Sequence, residues 1–390
     1  MQRPVAIAAV SEMTPGRYPM YDPMEMYRQV LLKFLSDWTP SPSDIQGLMA
    51  CPAGMAAGGI TENFVHEKLY DELGIRPYIA ETVNAGGATY SIMVQRAALA
   101  VAEGLVDSVL CLGAGKFPKV SAGGGEAMGK MVSHPEFEFP YGAVIYGLYA
   151  QAASRHMAEY GTTPEQLARV AVSARKWALK NPEAIMSGKG EISVEDVRAS
   201  RSISSPFNML DCSVPCEGGG AILVASEEVA RRMNPNPAFV LGMGEYHVFG
   251  NISQAPDLSE LGAKTSGERA YEMAGMTPTD IDFVEIYDAF TINPVILLED
   301  LGFCEKGGGG AFVDAGHTDP GGDLPMNTYG GLLSYGHVGD ASGISMIIEG
   351  ATQIMGRAGE RQLAKADTAL VHTYGGMMAE HATLILGSQP

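Results

Sequence analysis

The sequence predicts an α/β protein made of a duplicated βαβ-rich unit, and three observations lead there. Short apolar runs of strand length end in glycine-rich turns, as in AFVLGMGE and TALVHTYG. Between them lie longer segments whose apolar residues recur at helical spacing. An Asn-to-Gly-Gly turn leading towards an apolar helix and a closing strand occurs twice, as VNAGGATYS at 83–91 and MNTYGGLLS at 326–334. Such duplication places two parallel-rich sheets against each other through helices. The halves divide as 1–235 and 236–390, and 390 residues suffice for two core-bearing units.

Residues 4–10 read as a buried strand, followed by a Pro/Met/Tyr-rich turn and the helix PMEMYRQVLLKFLSDW. IQGLMACP is a second strand, and ITENFVHEKLYDELG is a helix closed by glycine. The segment 81–117 reads as strand, glycine-rich turn, Ala-rich helix and the buried strand SVLCLG; SAGGGEAMGKM after it reads as a loop. Residues 140–181 are helical, with a TPEQ capping signal opening the second helix. No buried strand returns before GGGAILVAS at 218–226, so about 118–205 is an inserted region. It holds the densest positive charge, at Arg175, Lys176, Lys180, Lys189, Arg198 and Arg201. Such charge is ordinarily a solvated helix face, and in an acidic protein it is also where a phosphate-bearing ligand would settle.

The net charge of −19, with no basic stripe, argues against nucleic acid and anionic membranes. Five cysteines at uneven spacing, without paired CxxC units, argue against structural zinc and fit a reducing cytoplasm. No apolar run approaches the roughly 20 residues of a membrane span. A cytoplasmic protein with no metal or redox cofactor is expected.

Three strand ends in the second half carry polar groups. FVEIYDAF ends in Tyr287 and Asp288, GGLLSYGHVGDASG presents Ser334, Tyr335 and His337, and ALVHTYGGMM runs into His372, Tyr374 and Gly375–Gly376. A single histidine at a strand end is more often a hydrogen-bonded structural residue than a catalytic one. Ligand sites in α/β folds nevertheless gather at the carboxyl ends of strands.

These segments, in this order and spacing, resemble the thiolase superfamily over essentially the whole chain, most of all its sterol-carrier-protein-x type. The resemblance implies a layered αβαβα arrangement. It also implies a nucleophilic cysteine at the turn before the Ala-rich helix, 17 residues ahead of the glycine at Gly104, and that position is Gly87. The Asn/His of the family's oxyanion hole corresponds to Tyr287. The loop histidine is kept as His337, with Val338 where proline is usual, and the second cysteine falls at or beside His372. A tyrosine at the position of Tyr287 and no cysteine also resembles the thiolase-fold aldolases that shorten steroid side chains, although those carry a second tyrosine where this chain has His337.

The resemblance therefore implies a retro-aldol lyase acting on a β-hydroxyacyl-CoA, the CoA thioester being substrate and not cofactor. Tyr287 and His337 are the expected proton-transfer residues, with His372 as the alternative acid. The N–H groups of Gly86, Gly87, Gly375 and Gly376 are the expected oxyanion donors. An acyltransferase with a replaced nucleophile, at Thr89 or Tyr90, is the rival enzyme reading, and a non-catalytic thiolase-like subunit is the third. A homodimer is expected, with a separate small OB-fold protein completing the acyl-CoA site.

Overall fold

The computed structural model describes residues 3–53, 63–117 and 124–390. The chain begins with β1 (Val5–Gly16), α1 (Pro23–Trp38), β2 (Gly47–Ala50), α2 (Val65–Leu73), β3 (Ile79–Thr82), α3 (Thr89–Ala102) and β4 (Ser108–Gly115). Helices α4 (Gly124–Val132), α5 (Ile145–Tyr160), α6 (Pro164–Ala178) and α7 (Val194–Ala199) follow, with a small antiparallel pair, β5 (Ser202–Ser204) and β6 (Phe207–Asn208). The chain then rejoins the main sheet as β7 (Glu217–Ser226) and leaves it through α8 (Glu227–Met233). The remainder is β8 (Ala238–His247), α9 (Ala263–Ala274), β9 (Phe283–Ile286), α10 (Ile292–Asp300), α11 (Gly309–Asp314), α12 (Ile344–Ile354), β10 (Thr368–Gly375) and β11 (Glu380–Gly387).

Nine strands form one sheet in the order β3-β2-β4-β7-β1-β8-β11-β10-β9. Read outward from its centre, β1-β7-β4-β2 and β8-β11-β10-β9 follow the same path, and β3 has no counterpart. The expected pair of parallel-rich sheets is thus corrected to a single mixed sheet, with five antiparallel pairings and three parallel. The last strand of each repeat causes this. β7 slots between β1 and β4, and β11 between β8 and β10, each antiparallel to both neighbours. Hydrophobic periodicity carries no strand direction, so the sequence could not supply it.

The two-residue alternation of the strands sorts their side chains between layers. In β4, Val109 and Cys111 join the core that contains α3, whereas Leu110, Leu112 and Ala114 join the one built on α1. Fully burying each of those leucines contributes about 2–3 kcal/mol. Helix α3 buries 11 of its 14 residues, with Arg96, Leu99 and Ala100 forming a narrow strip towards solvent, and α12 buries 10 of its 11. Both pack on strands of both repeats and form the inner layer, while α1 and α9 cover the outer faces. The two halves of the sheet, joined through the Ala6–Phe239 and Ile7–Ala238 pairs of β1 and β8, are the two β layers of this five-layer αβαβα arrangement.

Local signals held in several places. Thr163 and Gln166 form the expected capping box at the head of α6. Two readings need correction. β1 runs on to Gly16 through the stretch read as a turn, and the 121–131 segment is helical from Gly124, its first residues lying outside those described. The first residues of ITENFVHEKLYDELG also lie outside them, and its helix begins at Val65.

Candidate active site

Tyr287 is the first residue beyond β9, and its backbone is clamped on two sides. Its N–H donates to the His372 carbonyl of β10 at 3.0 Å. Asn327 holds the preceding residue twice, its Oδ1 accepting from the Ile286 N–H at 2.8 Å and its Nδ2 donating to the Ile286 carbonyl at 2.9 Å. The following Asp288 accepts from the Leu332 and Leu333 N–H groups at 2.7 and 3.4 Å, which braces the turn before His337. Burial pushes the Asp288 carboxyl up to about 7.

So held, the Tyr287 ring crosses the head of α3. A Cβ placed on Gly87 would stand 2.6 Å from Cε2 of Tyr287, 2.7 Å from its Cζ and 2.4 Å from the Tyr374 carbonyl oxygen. The tyrosine ring therefore fills the volume of a side chain at position 87, and the backbone has closed in beside it. Gly86, at φ 58°, lies against the turn after β10, its Cβ position 3.0 Å from the Gly376 nitrogen.

The phenol oxygen of Tyr287 meets two groups, His337 Nε2 at 3.2 Å and Ser342 Oγ at 2.7 Å. His337 is fixed through its backbone, its N–H donating to the Val214 carbonyl at 2.7 Å and its carbonyl accepting from the Cys216 N–H at 2.9 Å. Its ring stands edge-on to Phe117, with centroids 5.4 Å apart. Burial pulls the imidazole down to about 4, so it is neutral at ordinary pH, and its Nδ1 has no hydrogen-bond partner among the described residues. Tyr374 lies against Tyr287, with ring centroids 4.6 Å apart.

The structure thus brings Tyr287, His337 and the glycines at 86, 87, 375 and 376 together. His372 stands apart from them. Strand alternation turns it towards α9, where Nδ1 meets Thr383 Oγ1 at 2.8 Å and Nε2 meets His381 Nδ1 at 3.1 Å. Its neighbour Thr373 faces the inner layer and donates to Ser91 Oγ at 2.7 Å. Ser334 and Tyr335 also point away from the phenol of Tyr287, Ser334 towards Arg175 and Tyr335 towards the half-buried Glu12.

Ser342 was not singled out from the sequence, although a signal for it existed. It lies two residues before α12, the offset at which Gly87 precedes α3 (342 to 344, 87 to 89). The two Asn-to-Gly-Gly turns do not correspond in this way, since Gly331 precedes α12 by thirteen residues (331 to 344).

Four of the five cysteines are poor substitutes for the missing sulfur. Burial raises the thiols of Cys212 and Cys304 to about 12 and lifts Cys111 and Cys216 well above their ordinary value. Thr89 is occupied in closing the turn, its hydroxyl donating to the Gly86 carbonyl at 2.6 Å and accepting from the Ala85 N–H at 2.8 Å. Among the described residues no group of three or more His, Cys, Asp or Glu could hold a metal ion, and no helix is long and apolar enough to cross a membrane.

Comparison with known proteins matches this architecture. A family model for thiolase C-terminal domain-like sequences fits residues 244–388. An acetyl-CoA acetyltransferase of Methanothermobacter thermautotrophicus is 33% identical over 376 residues, 96% of this chain and 97% of that protein. A steroid side-chain-cleaving aldolase of Thermomonospora curvata is 32% identical over 339 residues, 83% of each chain. Among solved structures, an Ltp2-ChsH2(DUF35) aldolase superposes with a TM-score of 0.85 at 28% identity, covering 99% of this chain and 98% of that one. With its duplicated halves, its buried inner helices and this breadth of similarity, the chain belongs to the thiolase superfamily and to its sterol-carrier-protein type.

Proposed function

We propose that the protein is a carbon–carbon lyase that cleaves a β-hydroxyacyl-CoA by a retro-aldol reaction without a covalent enzyme intermediate. The carrying observation is that the Tyr287 ring stands in the side-chain volume of position 87, with its hydroxyl between His337 and Ser342. A nucleophile has no room there, and a proton-transfer group occupies the place.

The reaction needs three things. A base removes the β-hydroxyl proton, the Cα–Cβ bond breaks to release a carbonyl compound, and the thioester enolate left behind takes a proton on its α-carbon. Tyr287 sits at the heads of two buried helices, α3 and α12, whose N-termini favour negative charge on its oxygen. Ser342 donates to that oxygen, and the neutral His337 Nε2 accepts the phenol hydrogen as Tyr287 takes the substrate's. The same proton returns through Tyr287 to the α-carbon, so no net proton is gained or lost. Backbone N–H groups around Gly86–Gly87 and Gly375–Gly376 hold the enolate oxygen. His372, with both ring nitrogens engaged elsewhere, is given no proton-transfer step.

The aldolase relatives support this reading, and they extend it to a steroid side chain and to a separate partner protein of the kind present in the Ltp2-ChsH2(DUF35) aldolase. We also propose a homodimer. The acetyltransferase relative favours acyl transfer instead, but that reaction requires a nucleophile that neither Thr89 nor the four cysteines with raised thiols supply.

Mass spectrometry of CoA species tests the proposal. Purified protein, alone and with its partner, is incubated with β-hydroxyacyl- and β-ketoacyl-CoAs. Release of a shortened acyl-CoA from a β-hydroxy substrate without free CoA is expected. Cleavage confined to β-keto substrates supplied with free CoA would mean acyl transfer, and no cleavage of either would leave a non-catalytic subunit.

A further inference from the structure

Among the described residues only three other than glycine have positive φ, and one of them, Met378 at 62°, is fully buried. A left-handed methionine is strained and persists only where its surroundings determine it. Met378 lies in the turn between β10 and β11, which touches the candidate active site directly. A Cβ on Gly375 would come within 1.7 Å of the Ala85 carbonyl, so this turn and the Gly86–Gly87 turn meet backbone to backbone.

Two side chains hold Met378. Asn293 Nδ2 donates to its sulfur at 3.6 Å, and His381 Nε2 lies 3.0 Å from its carbonyl. The second contact fixes the direction of a longer line. A carbonyl only accepts, so His381 Nε2 carries the hydrogen, and in the neutral ring Nδ1 must accept. It accepts from His372 Nε2 at 3.1 Å, and His372 Nδ1 in turn accepts from the Thr383 hydroxyl at 2.8 Å. Thr383 Oγ1 meets Ser266 Oγ of α9 at 2.9 Å. Burial holds both rings neutral, lowering His381 to about 4 and His372 well below its usual value. Only one arrangement of hydrogens satisfies Thr383 and both rings, whereas the one hydrogen of Ser266 is shared between Thr383 Oγ1 and the Ala263 carbonyl at 3.1 Å.

We propose that His372 and His381 are positioning residues, which carry a one-directional line of hydrogen bonds from Thr383 to the Met378 carbonyl and so press the Gly375–Gly376 turn against Gly86–Gly87. The consequence for turnover rests on the lyase reading above. The consequence for the backbone does not.

The test compares Thr383→Val, a near-isosteric change that removes the only donor to His372 Nδ1 among the described residues, with His381→Leu and His381→Gln. Losing one such bond is worth roughly tenfold. Amide hydrogen exchange at residues 376–379 is therefore expected to speed up about tenfold in Thr383→Val and further in His381→Leu, with the β10–β11 pairing still protected. In lyase assays kcat should fall by about the same factor while KM stays within about twofold. His381→Gln, whose amide can still donate to Met378, should recover most of both. Exchange unchanged in Thr383→Val and His381→Leu overturns the proposal, and so does a loosened turn with undiminished kcat. If the unaltered protein cleaves no β-hydroxyacyl-CoA, the exchange result still decides this proposal, and the failure belongs to the lyase reading.

Discussion

The heads of the two inner helices occupy matching places in the repeat and have been filled in opposite ways. Before α3 stand Gly86 and Gly87, which offer backbone and space. Before α12 stands Ser342, and His337 lies five residues ahead of it; together they offer a hydroxyl and an imidazole. The two heads touch, since a Cβ on Gly343 would lie 2.1 Å from the Gly87 carbonyl oxygen. Tyr287 lies across both. A duplicated fold can thus gather polar side chains at one helix head and keep the other as a mould.

The sharpest way to break this contrast is to remove the one group shared by both heads. Tyr287→Phe keeps the ring that fills position 87 and deletes the oxygen. Turnover is expected to fall by about 10³-fold, within the usual span for a general acid–base group, while the thermal midpoint moves by only a few degrees. Full activity in that variant would leave the α3 head with a space-filling neighbour and no chemistry.

The mould itself is tested by Gly87→Ala. Its Cβ meets the Tyr374 carbonyl at 2.4 Å and the Tyr287 ring at 2.6 Å, so the variant should lose about 2–3 kcal/mol in denaturant unfolding. Adding Tyr287→Ala should return only part of that, because the carbonyl contact remains. Complete recovery would mean that the ring alone enforces glycine there.

At the other head, Ser342→Ala removes one hydrogen bond to the Tyr287 oxygen. A loss of about tenfold in kcat with KM little changed is expected. Ser342→Gly, which copies the α3 head, should do no worse than alanine if the hydroxyl is what matters.

The smallest effect concerns His337. Its folded value of about 4 lies below the ordinary 6.5, so the unfolded chain takes up the proton first. The residue's contribution to stability is complete above pH 6.5 and is withdrawn as pH falls through 4. Nitrogen-15 NMR should therefore find the ring neutral from pH 8 down to pH 5. A midpoint near 6.5 would show an imidazole open to water and would break the picture of a closed pocket.

Much of this contrast was legible in the chain, and what was not has physical causes. Gly87 and Tyr287 stand out because their residue types depart from a strong pattern at known spacings, and His337 because it keeps that pattern. His372 misled, because a histidine at a strand end looks the same in sequence whichever face it takes. A shift of one residue separates the α9 side, where His372 lies, from the inner layer, where Thr373 lies. Ser342 was hidden by a false repeat. The eye aligns Gly86–Gly87 with Gly330–Gly331, whereas the fold aligns Gly87 with Ser342 across an intervening turn. Strand direction, and with it the single mixed sheet, was not written in periodicity at all.

The filled volume at position 87 also bears on how this protein could change by mutation. A codon change to cysteine would not restore a thiol nucleophile, because the sulfur would arrive in a place held by an aromatic ring and a main-chain oxygen. On the proposed lyase mechanism, trimming Tyr287 first would remove the oxygen between His337 and Ser342 and abolish turnover before any thiol chemistry began. On that mechanism each single step crosses a variant that is either destabilised or inactive, so the way back is closed to one-at-a-time substitution, although the surrounding fold still has the shape of an acyl-transfer enzyme.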